Sequence, residues 1–231
     1  MTLSLVARCK RTGRLGLATA SELISVGLHC SGAVRSGIGA TLTQGSPFPR
    51  NNALTLNLLA QGFAPAQVLG QLRENDPDFQ SRQVAIVDRE GRTVSHTGAR
   101  TTGWAGHRQG AGYVAMGDQL SGDSALAPLA ELFESSAGLE LEERLLKALE
   151  GVREPQRLRS VALIVFGNQD YSDTDLRVDL HDEPIAALRR LYDEYQPFAA
   201  YYLERARNPR NALPQREFAD MLNARRTKDA S

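Results

Sequence analysis

The period of the apolar positions changes several times along the chain. Apolar runs at residues 3–7 and 15–20 flank a polar turn that contains Gly13, and this pattern predicts a β-hairpin. Short apolar segments at Val26–Cys30 and Gly37–Thr43 predict two further strands. The first part of the chain is therefore expected to be rich in β-structure.

A helical period begins after the turn-rich loop Gly45–Asn52. Leu54, Leu58 and Leu59 fall on one face of a first helix, and Pro65 opens a second helix, where its missing N–H costs nothing. Strands are then predicted at Gln83–Val87, Thr93–His96 and Tyr113–Met116, helices at Ser124–Ser135 and Leu141–Leu149, strands at Ser160–Phe166 and Leu176–Leu180, and a helix from Pro184. This order favours an α+β fold with two antiparallel sheets and helices outside them over a parallel βαβ fold.

The last part of the chain has a different character. From Pro197 onward, Phe198, Tyr201 and Tyr202 follow a helical spacing and are the start of an amphipathic, partly aromatic region. We therefore predict a main domain over residues 1–196 and a helical C-terminal extension over residues 197–231. Such an extension typically packs on its own domain or on a second subunit.

Composition narrows the class of partners. The 231 residues are 42% hydrophobic, which suffices for a large core, and Lys plus Arg (27) balances Asp plus Glu (27). Nucleic-acid binding proteins usually carry a basic excess, so no nucleic-acid partner is expected. No segment has the roughly 20 apolar residues of a membrane span, and the N-terminus lacks a signal-peptide pattern. A cytoplasmic protein without a membrane partner is predicted.

Cysteine and histidine spacing gives no sign of a cofactor. Cys9 and Cys30 form neither a disulfide framework nor a zinc-ligand pair. His96 and His107 stand near predicted strand ends and are candidate acid–base groups or polar anchors, but no carboxylates accompany them at metal-ligand spacing. No metal site and no cofactor are expected.

The glycine-rich stretch Gly98–Gly122 matches no phosphate-binding motif. It has neither a Gly-x-Gly-x-x-Gly turn nor a P-loop ending, and we interpret it as a ligand-facing loop or a tight connection. Asp118, within it, could orient a substrate amine, although a solvated turn carboxylate is the simpler interpretation. The chain also lacks the Gly-x-Ser-x-Gly elbow of α/β-hydrolases.

Thr2 has an unusual position for a hydroxyl residue. A small residue after Met1 permits removal of the methionine, and a mature chain would then begin with threonine at the start of a strand. A free α-amine has a pKa of roughly 7.7–8.0 and can accept the hydroxyl proton near neutral pH. Many chains begin Met-Thr without using the threonine, so position alone favours a purely structural residue.

Several segments together resemble one protein family. They are, in order, Thr2–Arg8, Gly16–Ser21, Gly39–Gln44, Arg82–Asp88, His96–Arg100, Trp104–His107, Gly110–Tyr113 and Asp175–Asp179. This succession resembles family 1028 of the domains of unknown function, and the resemblance covers roughly residues 2–195. It is specific because many short motifs occur in register.

The resemblance implies a fold similar to that of the N-terminal-nucleophile hydrolases, a four-layer αββα sandwich. In that fold the nucleophile is the first residue of a strand, and the reaction is usually amide hydrolysis. The resemblance therefore favours a catalytic role for Thr2 more than its position alone does. The family typically has Gly-Asn-x-Leu where this chain has Gly117–Leu120 with Asp118. An amide at that position could donate to an oxyanion, whereas an ionised Asp118 would repel one.

Two hypotheses for function follow. The first is hydrolysis of the C–N bond of a small amide, with Thr2 as nucleophile after Met1 removal. Its predicted substrate-binding residues are Ser4, which alternates to the same side of its strand as Thr2, and Ser21, Gln44, His96 and Asp118. The second is a non-catalytic small-molecule binder or scaffold on the same fold, which needs no processing of Met1.

A third alternative, a hydrolase using Ser21 or Cys30, has no supporting triad spacing. Under both main hypotheses the partner is a small molecule. A homodimer or higher homo-oligomer is expected from the apolar extension and the small-residue strands. The substrate itself is not predicted by the sequence.

Overall fold

The computed structural model describes residues 1–153 and 157–229, with side chains through Ala224. Its strands are β1 Thr2–Arg8, β2 Leu15–Ser21, β3 Ala33–Arg35, β4 Gly39–Gly45, β5 Arg82–Asp88, β6 Thr93–Thr97, β7 Trp104–Gly110, β8 Tyr113–Leu120, β9 Ser160–Phe166 and β10 Thr174–Val178. Its helices are α1 Val26–His29, α2 Pro49–Ala60, α3 Pro65–Asn75, α4 Asp123–Ser135, α5 Leu141–Glu150, α6 Pro184–Arg207 and α7 Gln215–Asp229, with a 3-10 turn at Phe79–Ser81.

The strands form two antiparallel sheets. The larger sheet has the order β10-β9-β2-β1-β8-β7, and the smaller has the order β3-β4-β5-β6. Every described strand pair is antiparallel. In the larger sheet β1 is a central strand, flanked by β2 on one side and β8 on the other.

The sheets and helices make four layers. Helices α4 and α5 cover the outer face of the larger sheet, and α2 and α3 cover the outer face of the smaller sheet. The inner faces of the two sheets meet in an apolar core that includes Val6, Leu17, Leu42, Val87 and Val114. The predicted α+β fold with two antiparallel sheets in an αββα sandwich is therefore confirmed.

Strand alternation explains why β1 is buried on both faces. Leu3, Leu5 and Ala7 face the helices on one side, and Thr2, Ser4 and Val6 face the other sheet. Each of these residues except Thr2 is buried, and Leu3, Leu5 and Val6 are fully inaccessible to solvent. A central strand covered on both faces needs such a nearly continuous apolar sequence.

The prediction of a strand at Val26–Cys30 is wrong. These residues form the one-turn helix α1, in which Val26 is buried while Leu28 is 62% exposed. Ser25 precedes the turn with a left-handed backbone (φ 56°), and the Val26 N–H donates to Ser160 Oγ at 3.0 Å. A run this short does not separate a buried helical turn from a strand by its apolar pattern.

Two segments predicted as loops are regular elements. Helix α2 begins at Pro49, inside the predicted loop 45–52, because proline is well suited to the first turn of a helix. The glycine-rich stretch 98–122 contains β7, which was not predicted, and β8, of which Tyr113–Met116 was predicted as a strand. Gly106 lies directly beside the Trp104 ring, where a Cβ would come within 2.6 Å of it. The glycines of β7 thus make room for aromatic side chains rather than for a ligand.

The chain divides into two compact units, Met1–Arg189 and Arg190–Ser231. The division between domains that we predict after residue 196 lies within α6, which continues through Pro197 to Arg207. In the second unit Tyr201 stacks on Phe218 with ring centroids 4.1 Å apart, and Tyr201 Oη donates to the Leu213 carbonyl at 2.8 Å. These contacts hold α7 against the end of α6. Residues 230 and 231 lie outside the described part of the chain.

Among the described residues, no helix combines the length and the apolar character needed to cross a membrane.

Candidate functional site

Polar side chains occupy one end of the space between the two sheets. In the larger sheet Thr2 pairs in register with Ser21 on β2 and with Asp118 on β8, and Ser4 pairs with Thr19. Directly paired residues place their side chains on the same face, which here is the inner face. Apart from half-buried Thr2, these side chains are at most 2% exposed. We call this group, together with Gln44 and Gln83 of the smaller sheet, the polar cluster.

Thr2 lies at the centre of the polar cluster. Its Oγ1 is 3.2 Å from Ser21 Oγ, within hydrogen-bond distance, and its backbone N–H is close enough to the Asp118 carboxylate to lower the pKa of that group. One step deeper, Ser4 Oγ donates to Thr19 Oγ1 at 2.8 Å. The first residue of β1 therefore has a hydroxyl on one side and a carboxylate at its nitrogen.

Two glutamines link the sheets. Gln44 Nε2 lies 3.4 Å from both the Thr2 carbonyl oxygen and Asp118 Oδ1, and it donates to Gln83 Oε1 at 2.9 Å. Gln83 Nε2 in turn reaches the Gly117 carbonyl at 2.9 Å and the Gly106 carbonyl at 3.0 Å. Both glutamine side chains are fully buried, and Gln44 Oε1 has no described hydrogen-bond partner. Gln44 and Gln83 thus tie the smaller sheet to β1, β7 and β8.

The hydrogen bonds continue to the protein surface through β6 and β7. Gln83 Nε2 is 3.0 Å from Thr97 Oγ1, and Thr97 Oγ1 is 2.8 Å from His107 Nδ1. His107 is exposed, although desolvation of its ring still lowers its pKa. A continuous path of polar atoms therefore joins Thr2 to His107.

The surroundings of Asp118 shift its pKa. Burial raises the pKa of its carboxyl group, and the N-terminal ammonium and the Thr2 N–H only partly oppose this effect. The next residue, Gln119, has a left-handed backbone (φ 55°), which is costly for a residue with a Cβ. A perturbed carboxyl beside a strained backbone is a common feature of functional sites.

Met1 is part of the folded site. It is only 2% exposed, and its ammonium group forms an ion pair with Glu22 Oε1 at 2.5 Å. Its carbonyl oxygen accepts hydrogen bonds from the Glu22 N–H and from Ser21 Oγ, each at 3.1 Å. Arg157 contacts the other Glu22 oxygen at 3.0 Å. Met1, where it is present, therefore covers Thr2.

The structure brings together five of the six predicted site residues. Thr2, Ser4, Ser21, Gln44 and Asp118 all belong to the polar cluster.

His96 lies elsewhere. It pairs with Val84 on the outer face of the smaller sheet and stacks on Phe79 with ring centroids 4.2 Å apart. Burial lowers its pKa, and its Nε2 has no described partner. Because alternate residues of a strand face opposite sides, His96 points away from the cluster while its neighbour Thr97 faces it.

Sequence reasoning missed Thr19, Gln83 and Thr97. Thr19 and Gln83 each occupy a position where the strand's alternation otherwise places apolar residues towards the other sheet, whereas Thr97 follows the polar Thr93 and Ser95 on the same face of β6. In β5, for example, Gln83 precedes Ala85 and Val87 on the same face. A polar residue among apolar residues on one face of a strand was therefore the sequence signal for Thr19 and Gln83, and Thr97 gave no such signal.

Cys30 is poorly suited to act as a nucleophile, and the described side chains form no metal-binding cluster. Burial raises the pKa of Cys30 to about 12, and its thiol donates to the Thr43 carbonyl, so it stays protonated near neutral pH. Within residues 1–153 and 157–229, no group of three or more His, Cys, Asp and Glu side chains could hold a metal ion. The chemistry available in the cluster is that of hydroxyls, amides and one carboxyl.

Comparisons with known proteins agree with this fold. The model of the family of unknown function DUF1028 matches residues 2–188. Among solved structures, the crystal structure of protein SPO2555 from Silicibacter pomeroyi, which the same family model describes, is similar with a TM-score of 0.78 and 28% sequence identity. The similarity covers 84% of this chain and 89% of that one. The comparison with curated proteins found no match. Because the family model spans most of its length, the chain belongs to DUF1028.

Proposed function

We propose that this protein is an amidohydrolase of the N-terminal-nucleophile kind, with Thr2 as the catalytic nucleophile after removal of Met1. The observation that carries the proposal is the position of Thr2. It begins a central strand at the polar end of the inter-sheet space, with Ser21 Oγ 3.2 Å from its hydroxyl and Asp118 at its nitrogen. The four-layer arrangement of two antiparallel sheets supports the same assignment.

The reaction needs no group beyond the chain itself and water. Thr2 Oγ1 attacks the carbonyl carbon of a small amide while the Thr2 α-amine takes the hydroxyl proton. The C–N bond then breaks, the leaving amine departs with that proton, and an ester forms on Oγ1. Water adds to the ester with the same amine as base, which releases the carboxylic acid and restores the hydroxyl.

The polar cluster supplies distinct roles for this reaction. The Asp118 carboxylate lies beside the Thr2 N–H, so in the processed chain it would orient the α-amine. Gln44 Nε2 is a neutral donor 3.4 Å from the Thr2 carbonyl oxygen and can turn towards an oxyanion. Ser21 would orient the attacking hydroxyl. Loss of the buried Met1 side chain would leave space for a substrate beside Thr2.

Under the proposal, Met1 has to be removed before the chain folds. In the folded chain Met1 is buried and its ammonium group is ion-paired to Glu22, so a peptidase cannot reach it. Under the proposal Met1 leaves during synthesis, before β1 is incorporated into the sheet. The threonine at position 2 is small enough for this removal.

A second candidate function is a non-catalytic small-molecule binder or scaffold that keeps Met1. The ion pair between Met1 and Glu22 favours it, because it gives the unprocessed terminus a stable place in the fold. Asp118 favours it as well, since an ionised carboxylate would repel an oxyanion nearby. In this case the nitrogen of Thr2 remains an amide and cannot act as a base.

The test compares three forms of the protein on a panel of small amides and cyclic imides. Wild type, Thr2→Ser and Thr2→Ala are purified with their N-termini verified by intact mass. Thr2→Ala is expected to lower hydrolysis by about 10³-fold or more with an unchanged fold, and Thr2→Ser should keep part of the activity.

The matched control is Thr55→Ala, which removes a fully buried threonine hydroxyl from α2, outside the polar cluster. It should leave hydrolysis within about twofold of wild type, because α2 packs on the outer face of the smaller sheet, opposite the polar cluster. Full hydrolytic activity in Thr2→Ala would refute the proposal.

A further inference from the structure

Glu22 binds the N-terminal ammonium group directly beside Thr2. Its Oε1 lies 2.5 Å from the Met1 nitrogen, and this hydrogen bond lowers the pKa of the Glu22 carboxyl group. Arg157 contacts the other oxygen, Oε2, at 3.0 Å and also donates to the Gln119 carbonyl at 3.3 Å. The contact with Arg157 does not involve Met1, so it can hold Glu22 in place after Met1 is removed.

The carbonyl oxygen of Met1 is bound by two donors. The Glu22 N–H and Ser21 Oγ each donate to it at 3.1 Å. Ser21 Oγ is also 3.2 Å from Thr2 Oγ1, so one hydroxyl contacts both this carbonyl and the proposed nucleophile. A few adjacent atoms therefore bind an ammonium group and a carbonyl oxygen, which are the two polar groups of an α-aminoacyl unit.

The side chain of Met1 is enclosed as well. It is 0% exposed, whereas Leu23 and Ile24, which follow Glu22 in the same loop, are 67% and 55% exposed. A hydrogen bond from Ser160 Oγ to the Leu23 carbonyl at 2.6 Å anchors this loop to β9. Removal of Met1 therefore leaves an enclosed space of the size of an unbranched apolar side chain, next to an anchored loop with two exposed apolar residues.

Removal of Met1 also leaves Glu22 without its ammonium partner. In the proposed mechanism the new α-amine of Thr2 accepts a proton, so it is neutral in the form that starts the reaction. A neutral amine cannot replace the Met1 ammonium in an ion pair with Glu22. Burial raises the pKa of nearby Asp118, and the charge of Glu22 adds to this effect. A cationic group on the ligand would restore the missing positive charge.

We propose that the processed site recognises an α-aminoacyl group and that its substrates are amino acid amides with a free α-amine. The ammonium group of the ligand binds Glu22, its carbonyl oxygen faces Ser21 Oγ and the Glu22 N–H, and its apolar side chain enters the space that Met1 fills in the unprocessed chain. This inference rests on the proposed function, because it requires the removal of Met1.

The ligand lies farther from the Thr2 nitrogen than Met1 does. A peptide C–N bond is about 1.33 Å long, whereas reacting groups in a bound complex are roughly 3–3.5 Å apart. The ligand carbonyl is therefore displaced outwards by roughly 2 Å. The side chain of Glu22 is 31% exposed and can follow the ammonium group, and the Ser21 hydroxyl can rotate towards the displaced carbonyl.

The bond changes are those of the proposed hydrolysis. Thr2 Oγ1 attacks the ligand carbonyl carbon, the C–N bond of the carboxamide breaks, and ammonia leaves with the hydroxyl proton. Water then hydrolyses the ester, which releases the free amino acid and restores the hydroxyl group.

Binding to a processed Thr2→Ala chain separates recognition from hydrolysis. Alanine at position 2 is small enough to permit Met1 removal, and intact mass verifies the N-terminus. Isothermal titration compares L-methionine amide with 4-(methylthio)butanamide, which has the same carboxamide and the same side-chain atoms but lacks the ammonium group. The methionine amide is expected to bind at least about tenfold more tightly, because charge-assisted hydrogen bonds are the stronger ones. Glycinamide should bind at least about tenfold more weakly than methionine amide, since it has no side chain to bury.

A variant of Glu22 locates the recognition. Thr2→Ala/Glu22→Gln should reduce the preference for the cationic ligand to less than about twofold, and the partly exposed position of Glu22 allows the variant to fold. The matched control is Thr2→Ala/Glu90→Gln. It removes an exposed carboxylate that is paired with Arg89 at 3.2 Å in the β5–β6 turn, and it should leave the preference unchanged.

Hydrolysis by the processed chain with Thr2 intact gives a second readout. Glu22→Gln should lower kcat/KM for methionine amide by at least about tenfold and change that for 4-(methylthio)butanamide by less than about twofold. An equal loss for both amides would mean that Glu22 serves the Thr2 amine rather than the substrate, and it would overturn this inference.

Two binding results would also overturn it: equal affinity of the processed chain for the two ligands, and an unchanged preference in Thr2→Ala/Glu22→Gln. A processed chain that hydrolyses other amides without this preference refutes the α-aminoacyl site alone. A clear preference in binding without any hydrolysis by the chain with Thr2 refutes the proposed hydrolase activity alone.

Discussion

The inner faces of the two sheets are apolar at one end and polar at the other. On β1 alone, Val6 belongs to the apolar core, whereas Thr2 and Ser4 belong to the polar cluster. On β4, Leu42 and Gln44 show the same change two residues apart. The backbone pairing is continuous through both regions, so fold geometry alone does not require the difference.

The two regions contribute differently to the stability of the fold. Burial of apolar side chains stabilises the fold by roughly 25 cal/mol for each Å² removed from water. A buried polar group costs free energy unless a hydrogen bond satisfies it, and even then its net contribution is small. Most buried polar atoms of the polar cluster have hydrogen-bond partners, but Gln44 Oε1 has no described partner. The apolar region therefore supplies most of the stabilisation of the sandwich, whereas the polar region contains the residues on which the proposed function depends.

The largest stability effect is expected in the apolar region. Leu42 is fully buried between the sheets, and Leu42→Ala should lower the free energy of unfolding by about 2–5 kcal/mol, because a cavity remains. Denaturant unfolding measures the loss. Leu23→Ala, at a site that is 67% exposed, is the matched control and should cost less than about 0.5 kcal/mol. Equal losses in the two variants would contradict the role given to the apolar region.

A smaller loss is expected when the polar cluster loses its link between sheets. Gln83→Leu keeps the volume similar but leaves the Gly106 and Gly117 carbonyls and Gln44 Nε2 without their partner. We expect the free energy of unfolding to fall by about 2–3 kcal/mol, since buried groups without hydrogen bonds are costly.

Gln71→Leu, an exposed glutamine on α3 bonded to Glu74, is its control and should change stability by less than about 0.5 kcal/mol. Stability in Gln83→Leu equal to that of wild type would mean that the glutamine hydrogen bonds do not hold the sheets together.

The smallest effect, and the one with a distinct pH dependence, is expected for Asp118. Its folded-state pKa is raised by burial, so the folded chain binds the proton more readily than the unfolded chain. Its contribution to stability is full below the unfolded pKa of about 3.8 and is lost as the pH rises through the folded value.

Asp118→Asn removes the loss of stability that ionisation of Asp118 causes at higher pH, and it keeps an oxygen that can accept a hydrogen bond from the Thr2 N–H. The variant should therefore gain stability over wild type as the pH is raised from 4 to 7, with the melting temperature rising by about 2–4 °C for each kcal/mol gained. Thermal unfolding across this range measures it. A difference between variant and wild type that is independent of pH would contradict the raised pKa.

Local patterns were sufficient for much of the fold. The hairpin of β1 and β2, the buried strand β9 and the helices α3 and α5 follow from apolar period and from turn and helix-start signals. The pattern was insufficient at Val26–His29, where four residues are too few to define a period. It was also insufficient in β7, where Gly106 and Gly110 resemble a loop until the rings of Trp104 and Tyr113 are seen to occupy the space beside them.

The site was predictable only in part, for a similar reason. Thr2, Ser4 and Ser21 could be placed together because β1 and β2 form a local hairpin with a readable alternation. Gln83 and Thr97 join them across the space between sheets, and the sequence does not encode which ends of two sheets meet. His96 and Thr97 show how strongly such a prediction depends on register. They are consecutive residues of β6, yet His96 is on the outer face of the sheet and Thr97 is bonded to the polar cluster.

The central claim is that Thr2 becomes the first residue of the working protein. The most direct test is the intact mass of the protein isolated from the cell that makes it. The account predicts a chain lighter than the translated one by a single methionine residue, with threonine at its N-terminus. A chain that retains Met1, with its amine available to Glu22 rather than to the Thr2 hydroxyl, would contradict the proposed mechanism.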